Sequence, residues 1–135
     1  MNELLFGAND LKIVVVDDSD FSRSIIVKML NGAGYKVVGE SASAANALQV
    51  IKEKNPNVVI TDIVMPEISG IELTEKINQD FDNIYVIVIS SLSQEHVVLE
   101  AIGAGAADFI SKPISEQQLV DSLSKILAQI NKDKK

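Results

Sequence analysis

Three carboxylates, a serine and a lysine each follow a short apolar run, and together they could perform phosphoryl transfer. Asp17 and Asp18 follow the first run, Asp62 the third, Ser90 the fourth and Lys112 the fifth. Carboxylates held close together repel one another and raise their own pKa values, and a hard cation such as Mg²⁺ relieves that repulsion. Asp62 could then attack a phosphoryl group. Mg²⁺, the Lys112 ammonium and the Ser90 hydroxyl would neutralise the phosphoryl oxygens.

The apolar runs that position these residues are predicted to be strands of a parallel sheet. They are short, mostly β-branched or aromatic, and cover residues 13–16, 37–38, 58–60, 86–89 and 109–110, a pattern typical of strands buried on both faces. If the first, third, fourth and fifth strands are neighbours in that order, a spacing of about 4.8 Å brings Asp17, Asp18, Asp62 and Ser90 within roughly 10 Å. The long side chain of Lys112 could reach Asp62.

Helical spacing separates the runs, so the pattern predicts an α/β domain in which each of five strands is followed by a helix. The first helix is predicted to present one apolar face and the last helix another; these faces comprise Phe21, Ile25, Met29 and Leu30, and Leu119, Leu123, Ile126, Leu127 and Ile130. Ser69 with Glu72 and Ser115 with Gln118 match the capping box that begins a helix.

The chain length of 135 residues fits one domain. We expect a flexible N-terminal arm over residues 1–10, the domain over residues 11–131 and a charged tail over residues 132–135. No output domain is expected after the last helix.

Composition excludes several classes of protein. Twelve basic and 19 acidic residues give a net charge of −7, which argues against direct binding to nucleic acid. Cysteine is absent, so neither disulfides nor thiolate metal sites can form. No apolar stretch approaches the roughly 18 residues of a membrane span. The expected location is cytoplasmic.

The order of these residues resembles the CheY-like receiver domains of two-component response regulators, over about residues 11–130. The residues that match are Asp17-Asp18, the run from Asp62 to Pro66 with Gly70, Ser90, and Lys112-Pro113. The resemblance implies a flavodoxin-like, doubly wound, five-stranded parallel sheet with strand order 2-1-3-4-5.

The resemblance also implies a role for each matching residue. Asp62 would be the phosphoacceptor, and Asp17, Asp18, Asp62 and the Val64 carbonyl would hold Mg²⁺. Lys112 would contact the phosphoryl group, and its bond to Pro113 would be cis.

Two features implied by the resemblance concern switching and phosphoryl lifetime. Ser90 and Phe109 would be the switch residues, although Phe109 lacks the hydroxyl of the tyrosine often found there. Val64 and Leu92 flank the acceptor, and neither can hold an attacking water by hydrogen bonding. We therefore expect slow self-dephosphorylation.

Receivers of this type accept phosphate from a sensor histidine kinase and signal through a protein partner, which helix 4, strand 5 and helix 5 would bind. Chemotaxis and a relay to a histidine phosphotransfer protein both fit such a chain. The domain would catalyse only its own phosphorylation and dephosphorylation.

Two other functions compete with a receiver. Asp18-Ser19-Asp20 imitates the nucleophile motif of haloacid-dehalogenase-like phosphatases, an interpretation that leaves Asp62 unexplained. A flavodoxin-like FMN carrier shares the topology, but four Phe, two Tyr and no Trp offer few stacking partners for a flavin.

Overall fold

The structure, a computed structural model, describes residues 5–133. Five strands alternate with five helices, in the order β1 Lys12–Val16, α1 Asp20–Gly32, β2 Lys36–Ser41, α2 Ala44–Lys54, β3 Val58–Asp62, α3 Gly70–Asp80, β4 Tyr85–Ser90, α4 Glu95–Gly103, β5 Asp108–Ser111 and α5 Glu116–Asp133. A short 3₁₀ turn, Ala8–Asp10, precedes β1.

The strands form one parallel sheet in the order β2-β1-β3-β4-β5. β1 pairs with β3 from Ile13 opposite Val58, and Asp62 at the end of β3 lies opposite Ile89 of β4. The predicted fold class and strand order are therefore confirmed. Parallel pairing places the carboxyl ends of the strands, which carry the candidate site residues, along one edge of the sheet.

A hydrophobic core lies on each face of the sheet, because side chains alternate along each strand. Val14 and Val16 of β1 face the core that contacts α2, α3 and α4. Ile13 and Val15 face the core that contacts α1 and α5. Both faces of the sheet are covered, which explains why the strands are continuous apolar runs.

The apolar face predicted for α1 is partly wrong. Ile26 and Leu30 are its buried residues, whereas Phe21 is 78% exposed. Residues four apart, such as Ile26 and Leu30, lie on one side of a helix. Because these two face the sheet, Phe21 lies on a side of α1 that faces solvent. The face predicted for α5 is confirmed, because Leu119, Leu123 and Ile126 are buried and the other two residues pack against the same core.

Both predicted capping boxes are present. The Ser69 hydroxyl accepts from Glu72 N at 3.2 Å, and Ser69 N donates to Glu72 Oε1 at 3.5 Å. Ser115 and Gln118 form the same reciprocal pair at 3.2 and 2.9 Å.

The N-terminal segment contacts the last helix. Phe6 N donates to Asn131 Oδ1 at 2.7 Å, and Asn131 Nδ2 donates to Phe6 O at 3.1 Å. The flexibility expected of residues 1–10 stays a prediction, and its first four residues lie outside the described part. α5 extends through residues 132 and 133 of the expected tail, and residues 134 and 135 also lie outside the described part. No helix within residues 5–133 is long and apolar enough to cross a bilayer.

Candidate functional site

Three carboxylates converge at the carboxyl edge of the sheet. Asp17 follows β1 directly, Asp18 comes next, and Asp62 ends β3. One carboxylate oxygen from each lies within 4.8 Å of the other two. Asp17 is fully buried and Asp62 is 9% exposed, whereas Asp18 faces solvent. Three oxygen donors at this spacing, open to solvent on one side, suit a hard divalent cation that also keeps water ligands.

Hydrogen bonds fix Asp17 at the end of β1. Its backbone N donates to Ser41 O at 3.0 Å, which extends the pairing with β2. Its Oδ1 accepts from Ser19 N at 3.0 Å, and its carbonyl accepts from Arg23 Nη1 at 2.6 Å. The Asp17 carboxylate is therefore held by the backbone turn that begins α1.

The pKa of the buried Asp62 carboxylate is subject to effects that raise it and effects that lower it. Its Oδ1 accepts from Ile63 N at 2.9 Å, and its Oδ2 lies 3.5 Å from Lys112 Nζ. Burial raises the pKa of Asp62, the Lys112 ammonium lowers it, and the neighbouring Asp17 carboxylate raises it; the net direction is upward. The ionised form is thus disfavoured until more positive charge reaches the site.

A glycine allows α3 to begin against Asp62. Gly70 N donates to Ile63 O at 2.8 Å, and a Cβ on Gly70 would overlap the carbonyl oxygen of Asp62. The sequence identified Gly70 only as part of a resemblance. The structure gives the physical reason for a residue without a side chain.

Lys112 extends from the end of β5 into the carboxylate cluster. Its backbone N donates to Ser90 O at 2.9 Å, and its Nζ lies 3.3 Å from Asp17 Oδ2. The bond between Lys112 and Pro113 is cis, the form that the resemblance implies. The ammonium also donates to Ser22 Oγ at 3.2 Å. Sequence analysis did not identify Ser22, because nothing but its position five residues after Asp17 points to the site.

The predicted switch residues lie on β4 and β5 in different environments. Ser90 is fully buried, and its hydroxyl accepts from Leu92 N at 2.9 Å. Phe109 is partly buried and packs against the core beneath α2, α3 and α4. Both belong to the segments that border the site, but their roles as switch residues stay predictions.

The two residues predicted to tune dephosphorylation are open to solvent. Val64 is 56% exposed and Leu92 is 40% exposed. Both side chains are apolar, so neither position offers a side-chain hydrogen-bonding group to water. Their role in dephosphorylation stays a prediction.

Arg23 is a second residue that sequence analysis missed. Besides its bond to the Asp17 carbonyl, it pairs with Asp20 at 2.7 Å and Glu40 at 3.1 Å. The spacing of Asp20 and Arg23, three apart on a helix, was the available signal. Arg23 connects α1 with the ends of β1 and β2.

The phosphatase-like motif serves as a helix cap. Ser19 is the N-cap of α1, and its hydroxyl accepts from Ser22 N at 3.1 Å. Asp18 and Asp20 are exposed. Asp62, which the phosphatase interpretation left unexplained, is one of the two buried members of the carboxylate cluster.

Comparison with known proteins identifies the family of the chain. Residues 13–124 match the response regulator receiver domain family. The chain is 38% identical to the chemotaxis protein CheY of Thermotoga maritima over 85% of this chain and 96% of that protein. It is 37% identical to the chemotaxis protein CheY of Bacillus subtilis, over 86% and 97%.

A solved structure shares the fold. The crystal structure of the CheX–CheY–BeF₃–Mg²⁺ complex from Borrelia burgdorferi aligns with a TM-score of 0.82 at 27% identity, covering 87% of this chain and 90% of that one. Mg²⁺ bound by clustered aspartates is typical of receiver domains. The match over residues 13–124, together with these relatives, shows that the chain belongs to the family of response regulator receiver domains.

Proposed function

We propose that this chain is a phosphorylation-dependent signalling switch in which Asp62 accepts a phosphoryl group from a sensor histidine kinase. The observation that carries the proposal is the position of Asp62: buried, with a raised pKa, 3.5 Å from Lys112, and in one cluster with two further aspartates. A bound cation would stabilise the ionised form of a carboxylate whose pKa is raised. The phosphoryl group brings negative charge that Lys112 can neutralise.

Asp17, Asp18, Asp62 and the Val64 carbonyl would hold Mg²⁺, which supplies neutralising charge at the phosphoryl oxygens. A carboxylate oxygen of Asp62 attacks phosphorus, a P–O bond forms, and the bond from phosphorus to the donor breaks. The donor group leaves with its electron pair and takes a proton from solvent. Lys112 and the Ser90 hydroxyl would bind the transferred group.

Activation would then be a shift between two conformations that the acyl phosphate biases. In this proposal Ser90 gives up its bond to Leu92 N and turns towards the phosphoryl group, and Phe109 repacks. Because Phe109 has no hydroxyl, packing alone couples it to the site.

The proposed output surface is formed by α4, β5 and α5. Leu99 and Ile102 of α4 are 63% and 46% exposed, so apolar area is available for a protein partner. The similarity to two chemotaxis proteins supports chemotaxis as the pathway. A cytoplasmic location is part of the same proposal.

A second candidate is a relay that passes the phosphoryl group to a histidine phosphotransfer protein. An apolar groove next to Lys112, lined by Ile25, Ile26, Pro113 and Ile114, supports docking of a protein beside the phosphoryl site. Incubation of the phosphorylated chain with such a protein distinguishes the two candidates, because only a relay transfers the label to a histidine faster than water removes it.

The test of the primary proposal is intact mass after incubation with Mg²⁺ and acetyl phosphate. The wild type should gain one phosphoryl group, and Asp62→Asn should gain none. Chelation of the metal should prevent the gain. A gain in both proteins would place the nucleophile elsewhere, with Asp18 the first candidate.

Phosphoryl lifetime tests the proposed role of Val64. An amide at this exposed position can hold the attacking water, so Val64→Asn should shorten the lifetime by roughly threefold to tenfold, equivalent to about 1 kcal/mol of barrier. Val64→Leu, which keeps the position apolar, is the control. Equal lifetimes in the wild type and the Asn variant would contradict this role.

A further inference from the structure

The Lys112 ammonium has three N–H donors and three oxygen neighbours. Asp17 Oδ2 lies at 3.3 Å and Asp62 Oδ2 at 3.5 Å. The third neighbour is a neutral group, the Ser22 hydroxyl at 3.2 Å. The lysine side chain is only 25% exposed, so these three oxygens set the direction of its donors.

Two hydrogen bonds hold the backbone turn that carries Ser22. It lies in the first turn of α1, and its backbone N donates to the capping hydroxyl of Ser19 at 3.1 Å. The next residue, Arg23, ties the same turn to the Asp17 carbonyl at 2.6 Å. The backbone at Ser22 is therefore tied to the turn that carries Asp17, one of the carboxylates that Lys112 also contacts.

We propose that Ser22 is a positioning residue for phosphoryl transfer, acting through Lys112; this inference rests on the function proposed above. With one donor on Asp17 and one on Ser22, the third donor remains on the side of Asp62, whose Oδ2 lies 3.5 Å away. That donor is the one available to an oxygen of the incoming phosphoryl group. A lysine stem has four rotatable bonds, and a fixed neutral acceptor restricts them without adding negative charge beside the carboxylates.

A serine in the first turn of a helix often contributes to the helix alone, and the variants must separate that role from positioning. Here Ser19, not Ser22, supplies the capping oxygen. The Ser22 hydroxyl is therefore available to Lys112, and its removal should change the reaction more than the stability of α1.

The experiment measures the rate of phosphorylation by acetyl phosphate at saturating Mg²⁺, with intact mass as the readout. Ser22→Ala should react about threefold to tenfold more slowly, the range expected for the loss of one hydrogen bond of ordinary net strength. Ser22→Thr keeps the hydroxyl and should restore most of the rate. Ser24→Ala, which changes an exposed serine of the same helix, should react like the wild type.

A double-mutant cycle tests whether Ser22 acts through the lysine. In a Lys112→Ala background, removal of the Ser22 hydroxyl should cause no further slowing. Mg²⁺ affinity should change less than twofold, since Ser22 contacts the ammonium and not the carboxylates. Thermal unfolding of Ser22→Ala should match that of Ser24→Ala.

Three results would overturn the inference: an unchanged rate in Ser22→Ala, no recovery in Ser22→Thr, or equal slowing with and without Lys112. In each of these cases the wild type is still phosphorylated on Asp62, so the proposed function survives. If the wild type gains no phosphoryl group, there is no transfer for Ser22 to assist, and both proposals are wrong.

Discussion

The central strand β3 has a neutral polar residue, Asn57, directly before its amino end and an acidic residue, Asp62, at its carboxyl end. At its amino end, Asn57 Oδ1 accepts from Lys12 N at 2.8 Å, and Asn57 Nδ2 donates to Asp10 O at 3.1 Å. Its backbone N donates to Lys12 O at 3.0 Å, and its carbonyl accepts from Tyr85 N at 2.9 Å. At the carboxyl end, Asp62 is a buried acid next to another buried acid, and its pKa is raised.

This difference separates an end with a structural role from the end that we propose to be reactive. Neutral amides paired with neutral backbone groups stabilise the folded chain and carry no charge to neutralise. Buried carboxylates of like charge oppose folding, and that same repulsion favours binding of a cation. Removal of the Asn57 side chain should therefore destabilise the protein, whereas removal of the Asp62 charge should stabilise it.

The largest expected effect is at the carboxyl end, where backbone atoms pack most closely. Gly70→Ala should lower the free energy of unfolding by about 3 kcal/mol or more, because the new Cβ would overlap the Asp62 carbonyl. Phosphorylation should be lost with the geometry. Gly103→Ala is the control, since a Cβ there meets no atom within 4 Å. Equal denaturation midpoints for the two variants would refute the close packing at Gly70.

The second largest change in the free energy of unfolding is expected at the amino end of β3. Asn57→Ala removes both side-chain hydrogen bonds and should cost about 1–2 kcal/mol in the free energy of unfolding. The rate of phosphorylation at a temperature where the variant is folded should not change. Urea denaturation and the acetyl phosphate reaction measure the two quantities. A slower reaction in the folded variant would mean that the two ends are not independent.

Removal of the Asp62 charge should stabilise the folded protein, the opposite of the effect expected for Asn57→Ala. Since the folded-state pKa of Asp62 lies above its unfolded value, the protonated acid contributes stability below about pH 4. That contribution is lost as pH rises through the folded pKa. In metal-free buffer at neutral pH, Asp62→Asn should thus melt above the wild type by a few degrees.

The difference in melting temperature should shrink in acid, and also with Mg²⁺, which stabilises only the wild type strongly. Asp18→Asn, at an exposed carboxylate, should change the metal-free melting temperature less. A lower melting temperature for Asp62→Asn than for wild type would contradict a charge conflict at this end.

The smallest effect concerns backbone strain. Left-handed residues near the amino edge are asparagines, Asn55 and Asn83, with φ of 53° and 64°. In the loop between β3 and α3 the left-handed residue is Glu67, with φ of 67°. Asparagine tolerates this conformation better than glutamate. Glu67→Asn should therefore stabilise the protein by about 0.5–1 kcal/mol in urea denaturation, and a destabilised variant would show that the Glu67 side chain has a structural role.

The sequence was sufficient to predict the fold and the convergence of the site. Apolar runs mark the strands, and parallel strands bring the residues that follow them to one edge. The strand order implied by the resemblance then groups Asp17, Asp62 and Lys112. The contacts of Ser22 depend on the rotation of α1 about its own axis, which apolar spacing did not fix. The exposure of Phe21 was mispredicted for the same reason.

The amino end was not predicted because its interactions are tertiary. Asn57 resembles any polar residue before a strand, and its side-chain partners lie 45 and 47 residues away along the chain. The overlap at Gly70 likewise becomes visible only when α3 is placed against β3.

The central claim is that Asp62 is the phosphoacceptor, and chemical trapping tests it most directly. Borohydride reduces an aspartyl phosphate to homoserine, a change of mass and structure that peptide sequencing by mass spectrometry assigns to one residue. After reaction with acetyl phosphate and Mg²⁺, homoserine is predicted at position 62 and at no other aspartate. Homoserine at position 17 or 18, with position 62 unchanged, would contradict the claim.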